Sequence, residues 1–167
     1  MNELVVIVEG GTEQTFVRDQ LAAHLALHGT SVWPVVSGRR RNRKGVQRWA
    51  VAREDILRTL REGRYCSMMF DYYALPDDWP GRPESANLPW HERATYVENH
   101  LKRNIGEAMG DRFHPARFIP YIQLHEFEAL VFADVAELAA LTVGLTSETV
   151  ESLTNLFQEV LDENGHP

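Results

Sequence analysis

Two rhythms of apolar and polar positions alternate along this chain. Residues 3–8 (ELVVIV) form a short, nearly unbroken apolar run, the mark of a strand buried on both faces of a parallel sheet. From Glu13 to about His28, Phe16, Val17, Leu21, Leu25 and Leu27 return at helical spacing, with Thr12 as the expected N-cap and Gly29 as the stop. Residues 31–36 (SVWPVV) predict a second strand, at an edge or irregular, because Pro34 has no N–H for a ladder. Beyond the loop GRRRNRKG, a helix is expected from about Gln47 to Glu62, closed by Gly63. Residues 65–71 (YCSMMFD) predict a third strand. Residues 74–90 hold four prolines and a glycine and predict a long irregular loop. A helix over 91–109, a fourth strand over 117–124 and short helical pieces from Glu126 to about Glu163 complete the pattern.

Strands alternating with helices imply right-handed βαβ crossovers and an α/β fold with a mostly parallel sheet. The expected organisation is one α/β domain over 1–134 and a helical C-terminal extension over 135–167. In such sheets ligands bind outside the carboxyl ends of the strands. Glu9 follows strand one, Asp71 ends strand three and Glu126 follows strand four, so three carboxylates are expected at one rim. Gathered acids repel unless a cation holds them, and Mg²⁺ or Mn²⁺ needs only two or three when substrate phosphate supplies the rest. Glu9 and Asp71 are the first expected ligands. Glu13, one helical turn beyond Glu9, either reaches the same ion or a second one, or simply balances the helix dipole. Gly10 and Gly11 allow a sharp turn and a close backbone approach, and with no Gly-Lys-Ser/Thr after them a nucleotide P-loop is not expected.

Charge changes the picture at one place. The chain has a formal net charge of −7, yet all 17 basic residues lie at or before Arg117, alongside 15 of the 24 acids. Five cations fall within six positions, Arg39, Arg40, Arg41, Arg43 and Lys44, and Arg48 continues the run. On the loop after strand two they would also stand at the carboxyl rim, where phosphate is their natural partner. Alone, such a run reads as a solvated loop; its inferred position favours backbone contact with a nucleic acid. Tyr72 and Tyr73 either stack on an exposed base or pack as buried aromatics at a strand end. His24 and His28, without a catalytic glutamate between them, read as helix surface, and Cys66 as inert core.

Composition adds bounds. A length of 167 residues, 44% hydrophobic and 25% charged, is that of about one ordinary globular domain. One cysteine excludes a disulfide framework within the chain. No basic-plus-apolar leader and no run of about 18 apolar residues is present, so a cytoplasmic protein without a membrane span is expected.

Three segments, VEGGTEQTFV, MFDYYALPDDWPG and IQLHEFEALVF, taken in this order, resemble a bacterial family of uncharacterised domains of the DUF4276 type. That family is related to Toprim, the catalytic module of topoisomerases, primases and overcoming-lysogenization-type nucleases. The resemblance runs from about Glu3 to Asp134 and implies a Toprim-like, Rossmann-like sheet flanked by helices. It makes Glu9 the Toprim glutamate, a general acid/base or metal ligand, Glu13 the additional acid of nuclease-type members, and Asp71 the first aspartate of an Asp-x-Asp motif. Tyr73 stands where the second aspartate belongs, and a phenol is no hard-metal ligand at neutral pH. Asp77 or Asp78, or Glu126 and Glu128, would have to substitute, or metal binding is weaker. Of the last pair only one is expected to reach the metal, since two helical residues point about 200° apart, and Glu126 is the better placed. His125 is a candidate ligand, proton donor or carboxylate support, or with Glu128 merely caps and packs the helix start.

The function implied is a metal-dependent nuclease acting on DNA or RNA, an effector of anti-phage defence partnered by an ABC- or SMC-like ATPase. The alternative is a degenerate Toprim-like module that binds nucleic acid or the ATPase without cleaving. A nucleotidyl transferase or primase has no pocket signal in its favour. A helix-period stripe within Ser147–Glu163 would serve core packing or a partner helix, and a homo-oligomer stays open. The related nucleases use a downstream basic residue that this chain lacks, which suggests a short or truncated form ending at Pro167, and His166 lies too near the end to replace it.

Overall fold

The structure, a computed structural model, describes residues 2–38 and 48–124. The expectations for Arg39, Arg40, Arg41, Arg43, Lys44, His125, Glu126 and Glu128, for the C-terminal helical pieces and for the 134/135 boundary lie outside these residues. Every described residue belongs to one compact unit, Met1–His125.

Strands β1 (Asn2–Val8), β2 (Thr30–Val36), β3 (Tyr65–Asp71), β4 (Phe118–Ile119) and β5 (Ile122–Gln123) pair in parallel throughout, in the order β2-β1-β3, with β4 and β5 both beside β3. The mostly parallel α/β sheet is therefore present. The expected fourth strand over 117–124 is two short ones. Pro120 supplies no N–H, so the ladder stops at Ile119 and resumes at Ile122.

Both faces of the central strands are covered, which explains their continuous apolar runs. Val6 and Val8 of β1 pack with Val32 and Val17, under a continuous helix over 11–26 made of α1 (Gly11–Phe16), a π-helical segment (Val17–Leu21) and α2 (Ala22–Ala26). Val5 and Ile7 point to the other face, where α3 (Trp49–Arg61) and α5 (Trp90–Met109) lie. Cys66, Met68 and Phe70 of β3 alternate onto that same face, and Val97, Leu101, Ile105 and Met109 of α5 close over it at four-residue intervals. Each such fully buried side chain contributes about 1.5–3 kcal/mol. Cys66 is enclosed here, its thiol pKa pushed up chiefly by burial, as an inert core residue should be.

Residues 74–90 are less irregular than their prolines suggested, since α4 (Arg82–Ser85) forms within them. The segment is pinned by Trp79, which packs its ring 5.2 Å from that of Trp49 and 5.0 Å from that of Phe70. Among the described residues no helix is long and apolar enough to cross a membrane.

Candidate functional site

The strand order contains a switch point. From β1 the chain moves through the helix over 11–26 to β2 on one side; from β3 it moves through α5 to β4 on the other. These two connections cover opposite faces of the sheet. The carboxyl ends of β1 and β3 are therefore a topological switch point, the place where ligands bind in such sheets. Glu9 and Asp71 are the residues at those two ends. The last β1–β3 pair is Val8 with Met69, so Glu9 lies one position and Asp71 two positions beyond it. Adjacent strands are about 4.8 Å apart and rise about 3.3 Å per residue, which brings the two backbone positions within reach of one ligand.

Local chemistry holds the Glu9 turn in shape. Gly10 is the N-cap of α1, and the Glu13 carboxylate reaches back to accept the Gly10 N–H at 3.0 Å. This half of a capping box starts the helix two residues earlier than the expected Thr12 cap. Glu13 is buried, 9% exposed, and one of its oxygens is committed to the turn. It braces the turn that follows Glu9. The Glu9 side chain is half-buried, and its Oε2 is shielded from solvent.

Asp71 has neighbours that periodicity does not reveal. Gln123 pairs with it across β3 and β5, is buried, and accepts a hydrogen bond from the Tyr121 hydroxyl. Burial, then the charges of Glu98 and Asp71, push the Tyr121 phenol up from its ordinary value, so the group stays protonated and donates. Glu98 of α5 accepts the Ile122 N–H at 2.8 Å, and burial pushes its carboxyl up despite that hydrogen bond.

The described residues on either side of positions 39–47 are held by hydrogen bonds from backbone N–H groups. After β2 the Ser37 N–H donates to the Val8 carbonyl at 2.9 Å, and the Gly38 N–H donates to Asp55 of α3 at 3.3 Å. At the other end Arg48, exposed, precedes Trp49, whose N–H donates to Asp78 at 3.2 Å. Asp78 thus caps α3, a different task from the ligand role open to it in the sequence. Tyr72 is buried and Tyr73 is 59% exposed. His24 lies exposed on the helix, as read from the sequence, whereas His28 lies exposed in the turn after it, because α2 ends at Ala26.

The structure brings Glu9, Glu13 and Asp71 to one rim and leaves Arg48 beside it. Among the described residues no group of three or more His, Cys, Asp or Glu side chains is assembled to hold a metal. Glu9 and Asp71 form the described carboxylate pair. That pair suits a hard cation that keeps waters and takes further oxygens from a phosphate. Gln123, Tyr121 and Glu98 were not singled out in the sequence. A glutamine inside the apolar run of strand four was the one available signal, whereas Glu98 looks like any polar helix residue.

A family model, described as a domain of unknown function (DUF4276), matches residues 8–167. No curated protein and no solved structure matches the chain.

Proposed function

The chain belongs to the DUF4276 family, and from its rim geometry we propose that it is a metal-dependent phosphodiesterase acting on DNA or RNA. One observation carries this reading: Glu9 and Asp71 leave adjacent parallel strands on the two sides of the switch point. The Toprim relationship is part of the proposal and rests on the order of the three acidic segments. A cytoplasmic location, an ABC- or SMC-like ATPase partner and a role as an anti-phage effector are further parts of the proposal.

In this reading Glu9 and Asp71 hold Mg²⁺ or Mn²⁺, with Glu126 as the third carboxylate and His125 as proton donor or support. An ion held there would supply Lewis-acid chemistry toward a phosphodiester. Glu13 keeps the Glu9 turn fixed through the Gly10 N–H. Arg39, Arg40, Arg41, Arg43, Lys44 and Arg48 grip the phosphate backbone.

Calorimetry with Mg²⁺ and Mn²⁺ on wild type, Glu9→Gln and Asp71→Ala tests the site. Wild type should bind, either substitution should weaken binding by about tenfold or more, and both should abolish cleavage of DNA and RNA. No binding at millimolar metal by a folded wild type would sink the nuclease reading. The second reading, a non-cleaving module, is favoured by Tyr73 in the place of the second aspartate.

A further inference from the structure

Two tyrosines follow Asp71, and the fold treats them oppositely. Tyr72 is 1% exposed, with its hydroxyl 2.8 Å from Ser85 Oγ. The Arg82 guanidinium lies 4.3 Å from its ring centroid and donates to both the Tyr72 hydroxyl and the Tyr72 carbonyl at 3.2 Å. Tyr73 is 59% exposed, its ring perpendicular to that of Tyr72 with centroids 5.1 Å apart. A buried, hydrogen-bonded ring therefore backs an exposed one, two positions beyond a rim carboxylate.

We infer that Tyr73 is a stacking platform for an unpaired base, so that the nucleic acid this site takes is single-stranded or locally unpaired. The inference rests on the nucleic-acid reading above and narrows it. A base within a duplex has both faces covered by its neighbours, whereas an unpaired base offers a face to an aromatic side chain regardless of sequence. One cation able to meet a phosphate is described near this loop: the loop carrying Tyr73 is tied through Asp78 to the Trp49 N–H, immediately after the exposed Arg48. The buried core takes Tyr72, Leu75 and Trp79 from this stretch and does not include Tyr73.

Fluorescence anisotropy with labelled oligodeoxythymidylate, oligouridylate and a duplex of equal length tests this, in EDTA so that nothing is cleaved. Tyr73→Ala and Tyr73→Leu should weaken single-strand binding by about 5- to 150-fold, and Tyr73→Phe, which keeps the π face, by no more than about twofold. Duplex binding should be the same for all four proteins. Unchanged single-strand binding by Tyr73→Ala, an equal loss on duplex, or a wild type that binds no single strand would each overturn the inference. The two proposals fail separately. A chain that binds Mg²⁺ but no oligonucleotide keeps its metal site and loses this platform. One that binds single strands through Tyr73 but no metal keeps the platform and loses the nuclease.

Discussion

Glu98 shows how one carboxylate can serve an edge and carry a cost. Among the described residues β5 has a strand on one side only, and the Glu98 carboxylate takes the Ile122 N–H at 2.8 Å. An edge donor left without an acceptor costs stability and offers a template for another strand. Glu98→Ala should therefore destabilise the fold by about 1–2 kcal/mol. Glu98→Gln keeps an acceptor oxygen and removes the charge. Because burial raises the folded-state pKa of Glu98, the native chain holds that proton more tightly than the unfolded one. Stability then falls as pH rises from below the ordinary carboxyl range through the folded value. The nearby Tyr121 phenol, itself pushed up, does not titrate there. Urea midpoints from about pH 3 to 7 should show Glu98→Gln gaining on wild type as pH rises; a constant difference would refute the assignment.

At the level of elements, the start of α3 depends on a residue far along the chain. Arg48 is its N-cap and makes no side-chain cap bond; the Trp49 N–H finds its acceptor on Asp78, in the loop that follows β3. Asp78→Ala should cost about 0.5–2 kcal/mol, read from the thermal midpoint, and Asp78→Asn, which keeps the acceptor, should recover most of it. Such cross-links explain what the sequence left unread. β1 and β3 were legible because burial on both faces writes an unbroken apolar run, and Glu9 and Asp71 were legible because they end those runs. The two-part fourth strand depended on whether Pro120 would be bridged or would break the ladder, which periodicity does not decide. The opposite fates of Tyr72 and Tyr73 turn on Arg82 and Ser85, ten and thirteen residues onward. The Gly10 cap was hidden because Glu13 reads equally well as a ligand or as a helix-dipole acid.

For the whole molecule, the net charge of −7 and the location of the cations make opposing demands on a polyanionic ligand. Long-range repulsion acts on the total charge, while phosphate binding acts through the local field of a basic cluster. If the run at 39–44 grips the phosphates, each cation removed from it should lower the slope of log K against log salt by about 0.7 on a single strand. Replacing Arg39 and Arg41 with alanine should therefore flatten the slope by about 1.4 and weaken binding most at low salt. Arg61 and Arg112 provide a control with the same change in net charge. Arg61 ends α3, about 18 Å along the helix from its rim end, and Arg112 follows the end of α5. Their replacement should leave the slope unchanged. Equal flattening in both double variants would mean that cations across the surface act only through total charge, and the rim would lose its claim to the nucleic-acid backbone.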